Sequence, residues 1–123
     1  MNIKGESIKM REPEMFEPMK KLLQSKGYKI ISMKRGRERG PDIIAESKGR
    51  RLIMEMKGDS VALDVDFGTG IFQLLRHMRE ETDEDYALGI SENYVRLARQ
   101  AEYPLKRLGI KVFVVDGKSY QLW

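Results

Sequence analysis

Asp42, Glu55 and Lys57 are the residues of this chain whose types and spacing could do chemistry. They lie in Pro41-Asp-Ile-Ile-Ala-Glu46, a Ser-Lys-Gly-Arg break, and Arg51-Leu-Ile-Met-Glu-Met-Lys57. Two alternating runs around Lys48-Gly49 predict a β-hairpin with a two-residue turn. That turn sets Glu46 against Arg51, Ile44 against Ile53 and Asp42 against Glu55, and directly opposed residues have Cβ atoms about 5 Å apart. Side chains alternate along a strand, so Lys57 shares the face of Glu55. Two carboxylates that close raise each other's proton affinity unless a cation stands between them. A hard divalent ion is the natural occupant, because Mg2+ takes one or two carboxylates together with water and phosphate oxygens.

The competing reading is a solvated face, since Asp, Glu and Lys recur at period two on any hairpin. Two features weigh against it. Ile44 and Ile53 lie midway along the same face, so something covers it. The Asp42–Glu55 end opposes like charges, which destabilises unless compensated, whereas the Glu46–Arg51 end opposes unlike ones. Ile43, Ala45, Leu52, Met54 and Met56 on the other face belong in a core.

The elements that must position this hairpin follow from periodicity and breakers. A first helix carries Met15, Phe16, Met19, Leu22 and Leu23 and stops before Gly27. Proline restricts its predecessor, so Glu17 is the expected start and Pro18 the first helical residue. A short strand over 28–33 and a charged, glycine-bounded loop over 34–40 precede the hairpin. Residues 58–70 read as irregular, with Asp59, Asp64 and Asp66. A second helix over 69–81 buries Ile71, Phe72, Leu75 and Met78 and turns out Gln73, Arg76, His77 and Glu80. A buried strand over 86–90 leads to Ser91, an N-cap for a third helix with Tyr94, Leu97, Ala98, Ala101, Leu105 and Leu108 inward. Pro104 should kink or end that helix. A strand over 111–115, an Asp116-Gly117 turn and an edge strand over 119–123 complete the chain. The order αβββαβαββ predicts one α/β (α+β) domain over residues 1–123, a central mixed β-sheet flanked by helices.

The chain has 123 residues, which suits one domain. It has no cysteine, which removes disulfides, zinc–thiolate sites and thiol nucleophiles. The first residues lack the apolar run of a signal peptide, and nothing approaches a membrane-spanning length, so a cytoplasmic protein with no membrane contact is expected. Lys and Arg number 23 against 19 acids, a net charge of +4 that favours a polyanionic partner. The eight methionines read as core filler.

Pro41-Asp42, the hairpin and Glu55-Met-Lys57 resemble the PD-(D/E)xK nuclease superfamily, with its restriction-endonuclease-like fold. The layout is most similar to small archaeal Holliday junction resolvases and to stand-alone members of the superfamily, over roughly residues 14–90. The resemblance implies an acid on the first helix, for which Glu17 fits best and Glu14 is the reserve. It also implies a polar residue, commonly Gln, on the helix after the motif, and Gln73 matches. By this likeness Asp42, Glu55 and Glu17 would hold one or two Mg2+ or Mn2+ ions. Lys57 would orient or deprotonate water, or stabilise charge developing on the phosphate. Gln73 would orient the water or touch a phosphate. Glu17 is equally readable as an acid favoured by a helix dipole, and Gln73 as an ordinary polar position.

Lys34, Arg35, Arg37 and Arg39 form a basic run leading to Asp42, with Arg76 extending it, and such residues position a DNA backbone without reading sequence. The alternative is a solubilising loop. His77, the one histidine, is read as a surface residue rather than a substrate contact. Three functions compete: a metal-dependent DNA nuclease, a catalytically silent nucleic-acid-binding module of the same fold within a larger complex, and an unrelated adaptor with a chance motif. A homodimer is implied only by analogy with resolvases, which cut two strands symmetrically.

Overall fold

Lys48 and Gly49 both take left-handed backbone angles, φ 53° and 80°. Both central residues of a type I′ turn need positive φ, and this turn matches the twist of the strands it joins. The computed structural model describes residues 10–34, 40–79 and 83–123. The turn joins β2 (Ile43–Ser47) to β3 (Arg50–Lys57). Ile43 pairs with Met54, Ile44 with Ile53 and Glu46 with Arg51, which is the register expected from the turn. Leu52 through Met56 are buried on both faces, which makes β3 a central strand.

β1 (Lys29–Met33) pairs antiparallel with β2. β3 runs parallel to β4 (Glu84–Ile90), and β4 parallel to β5 (Ile110–Asp116). The antiparallel strand β6 (Lys118–Gln121) closes a six-stranded mixed sheet of order β1-β2-β3-β4-β5-β6. The mixed α/β class and the element order expected from the sequence both hold.

Helices cover both faces. α1 (Glu12–Ser25) lays Met15, Phe16, Met19, Leu22 and Leu23 on Ile43, Ala45, Leu52, Met54 and Met56. The other face buries Ile53, Leu88, Ile90, Val112 and Val114 beneath α2 (Leu63–His77) and the segment that follows β4. Ile44 packs against this second cluster too, so the site face of the hairpin is covered as its isoleucines required. Trp123 lies at the edge of this layer, its Nε1–H donated to the Ile110 carbonyl at 2.8 Å. Arg99 and Lys106 stand over its ring, 5.8 and 5.5 Å from the centroid.

Three elements differ from expectation. α1 starts at Glu12, with Pro13 in its first turn and Pro18 inside it. Proline is tolerated in a first turn because those N–H groups have no helical partner, so Pro13, not Pro18, marks the start. α2 begins at Leu63, six residues before 69. Asp64 and Asp66, read as loop residues, are first-turn acids favoured by the helix dipole. The helix therefore buries Phe67, Gly70 and Leu74, while Phe72 and Leu75 stay 59% and 39% exposed. The third helix is broken into a 3-10 turn (Glu92–Tyr94), α3 (Val95–Gln100) and α4 (Glu102–Arg107). Pro104 lacks the N–H that would continue the ladder, so the helix restarts at Glu102, and Leu108 is exposed.

Among the described residues, no helix is long and apolar enough to cross a membrane.

Candidate functional site

Asp42 stands at the entry to β2, and its Oδ2 accepts the Met56 N–H at 2.7 Å. That bond pins the carboxylate against the end of β3. Glu55 and Lys57 leave β3 on the same face, and all three side chains line one pocket of about 290 Å³. Gln73, Arg76 and His77 line it from α2, and Glu12 from the start of α1. The pocket thus joins the hairpin residues to both helices, and it takes in Gln73 as expected.

Glu17 is not part of it. Glu17 and Glu14 are both exposed, whereas Glu12 is half-buried beside Asp42. The reason is helical phase. Glu12 lies three, four and seven residues before Met15, Phe16 and Met19, on the stripe that faces the sheet. Taking Pro18 as the helix start hid that stripe's first member. Pro13 was the available signal.

Glu55 is 5% exposed. Burial first, then its hydrogen bond to Asp42 and that group's charge, pushes its carboxyl up to about 8. Glu12 is also raised, first by burial and then by the Asp42 charge. Lys57 lowers both, without offsetting three acids. His77 Nε2 lies 2.6 Å from Glu55 Oε1. Burial holds the His77 pKa below its ordinary value, with Arg76 adding to the effect. His77 is therefore a member of the site and not the surface histidine expected. Its spacing of four from Gln73 on one helical face was the visible signal.

Two devices hold these elements in place. Gly58 is buried, and a Cβ there would fall 2.2 Å from the Glu12 amide nitrogen. Only glycine lets the chain leaving β3 pass so close to the start of α1. Asp59 then clips that crossing: its N–H donates to the Met10 carbonyl at 2.7 Å, and its Oδ2 accepts the Met10 N–H at 3.1 Å. Ser91 Oγ donates to Asp59 Oδ1, and Tyr94 Oη to the Gly58 carbonyl at 2.8 Å. Ser91 was expected to cap a helix; it makes no cap bond and instead secures this loop. On α2, Gly70 leaves room for Lys57, since a Cβ there would lie 2.9 Å from Lys57 Cγ.

The Lys34 N–H donates to the Asp42 carbonyl at 2.8 Å, so the start of the basic run sits beside the site. Arg35, Arg37 and Arg39 lie outside the described residues.

The donor chemistry suits a hard ion. The pocket presents carboxylate oxygens, no thiolate, and one imidazole already engaged with a carboxylate. Among the described residues, no three His, Asp or Glu side chains converge on a single ion position. A Mg2+ ion does not need three, because it commonly keeps several waters and uses one or two carboxylates. Asp42 and Glu55 meet that requirement, and the raised proton affinity of Glu55 is what an ion beside it would relieve.

No protein-family model and no curated protein matches the chain. Two solved structures share its fold. One is an XisH family protein from Nostoc punctiforme, 17% identical at a TM-score of 0.60, over 81% of this chain and 88% of that one. The other is an fdxN element excision controlling factor protein from Anabaena variabilis, 22% identical at a TM-score of 0.57, over 82% and 88%. The chain has the fold of these proteins. Identities this low establish architecture and not activity.

Proposed function

We propose that this protein is a metal-dependent nuclease that hydrolyses DNA phosphodiester bonds through a PD-(D/E)xK site. One observation carries the reading: Asp42, Glu55 and Lys57 line a single pocket in which the Glu55 carboxyl is pushed up to about 8. A buried carboxyl held beside the charge of a second is costly to a fold, and such perturbed groups gather where function requires them.

Asp42 and Glu55 would hold a Mg2+ or Mn2+ ion, with Glu12 beside them. The bound ion supplies Lewis acidity and a water of lowered pKa. Lys57 brings a cation to the side of the pocket where the phosphate gains negative charge. Gln73 offers both a donor and an acceptor for placing the attacking water. His77, paired with Glu55 Oε1 at 2.6 Å, would fix the orientation of that carboxyl, as hydrogen-bonding partners of metal-ligating carboxylates do. Arg76 and Lys34, with Arg35, Arg37 and Arg39, would hold the phosphate backbone.

A second reading is a DNA-binding component of an excision machinery that does not itself cut. The name of the Anabaena variabilis protein, an excision controlling factor, favours it. The intact Asp42, Glu55 and Lys57 set favours turnover, because a decayed site tends to lose one of them. Incubation with labelled linear, nicked and four-way DNA in Mg2+, Mn2+ or EDTA separates the readings. The nuclease cuts at least one substrate with metal and none with EDTA. Binding to DNA with no cutting under any condition leaves the silent module.

A further inference from the structure

The outer side of α3 and α4 sets cations around an aromatic ring. Arg96, Arg99, Gln100, Tyr103, Lys106 and Arg107 recur at steps of three and four residues, all of them exposed. Ala98 and Leu105, on the opposite side, are buried against the sheet. From Arg99 to Arg107 these side chains, together with Glu102, line a groove of about 690 Å³. None of them lines the pocket of Asp42 and Glu55. The groove presents three cations against one acid, and Arg96 adds a fourth at its end. Tyr103 is 75% exposed in their midst.

Two of these cations are held in place. Glu102 takes Arg99 at 2.8 Å and Lys106 at 2.7 Å, and both cations stand over the Trp123 ring. Glu102 thus spaces them and offsets only one charge of the groove. The stripe also has a direction. The Ser91 N–H donates to the Lys57 carbonyl, so the segment leaves β4 at the pocket end and returns along the sheet to Ile110. From Arg96 to Arg107 it spans roughly 16 Å. Cations spaced along a groove track a phosphate backbone, and an exposed ring among them stacks an unpaired base. A duplex keeps its base faces stacked inside, and an acidic peptide would leave the ring idle. We infer that this groove binds single-stranded nucleic acid, with phosphates on Arg99, Lys106 and Arg107 and a base on Tyr103.

The inference holds whether or not the pocket cleaves DNA, and its test runs in EDTA and reads binding alone. Fluorescence anisotropy of labelled oligo-dT and oligo-U, each of about 12 nucleotides, measures affinity for the full chain. Tyr103→Ala should weaken both by about fivefold to a hundredfold, the scale of one lost base stack. Tyr103→Phe keeps the ring and should bind as wild type does. Arg107→Gln should flatten the slope of log K against log salt by about 0.7, the share of one phosphate on a single strand. A blunt duplex of the same length should bind Tyr103→Ala and wild type equally. Each variant should melt with wild type, since both side chains are exposed. Tyr103→Ala binding both strands like wild type, or Tyr103→Phe as weak as Tyr103→Ala, overturns the inference. A polyglutamate peptide that binds wild type more tightly than either oligonucleotide overturns it in favour of an acidic protein segment.

Discussion

Asp42 does two things with one carboxylate: it takes the Met56 N–H and it faces Glu55. Asp42→Asn keeps an acceptor for the amide but removes the charge, so the variant should fold and bind DNA. Its single-turnover cleavage should fall by about two or more orders of magnitude, as should that of Lys57→Ala. Wild-type rates in either variant would remove this constellation as the active site. Glu12 and Glu17 make a paired test on one helix. Glu12→Gln should weaken Mn2+ binding by about tenfold, the scale for altering a group around a metal, and Glu17→Gln should leave it unchanged. Calorimetric titration reads both. The Glu55 carboxyl gives a pH signature. Its pKa rises from an ordinary 4.5 to about 8 in the folded protein, so the folded state binds this proton more tightly than the unfolded state does. Its favourable contribution is complete below about 4.5 and is lost as pH climbs through 8. Wild type minus Glu55→Gln should therefore show a melting-temperature difference that worsens for wild type between those pH values. Saturating Mg2+ should reverse that trend in wild type alone, and Mn2+ affinity should rise with pH toward 8 as the displaced proton becomes easier to lose. A flat difference would mean that Glu55 ionises without strain.

Between elements, the site depends on two glycines in opposite ways. Gly58→Ala drives a Cβ into the backbone at Glu12, which cannot yield as a side-chain tip can. It should cost about 1–3 kcal/mol and move Glu12 from the pocket, seen as a lower melting temperature with weaker Mn2+ binding. Gly70→Ala presses instead on the flexible Lys57 side chain and gains up to about 1 kcal/mol in helix propensity. It should melt near wild type and still cleave poorly. Equal cleavage would show that Lys57 has room to shift. The same two elements explain what could be read from residues alone. The hairpin was legible because Lys48-Gly49 sets the register, and the register places Asp42, Glu55 and Lys57 together. α2 was legible in existence but not in phase. Gly68 and Gly70 look like breakers, and Phe72 and Leu75 look like core until the helix is known to start at Leu63. Glu12 was hidden because Pro18 mimics a helix start that Pro13 supplies. His77 was visible at the right spacing, but nothing local reveals that Glu55 lies opposite.

At the scale of the whole molecule, the pocket opens where the parallel strand β3 ends, the side on which open α/β sheets generally receive ligands. The opposite end is tied shut: Arg50 at the start of β3 bonds Asp83 at 2.6 Å and Asp85 at 2.8 Å, across to the start of β4. The basic run should therefore act at the pocket end, through Lys34. Alanine at Arg35, Arg37 and Arg39 together should flatten the slope of log K against log salt by up to ~3, one for each lost phosphate contact. An unchanged slope would assign the DNA contact to another surface. One further property follows from the far edge of the sheet. Trp123 is the sole tryptophan, and it sits against Ile110, Arg99 and Lys106, none of which lines the pocket. Its fluorescence is an optical gauge of whether the α3–α4 layer is seated on β5. Emission should change on denaturation and stay silent when an ion enters the pocket, so one cuvette can tell a variant that has lost its site from one that has lost its fold.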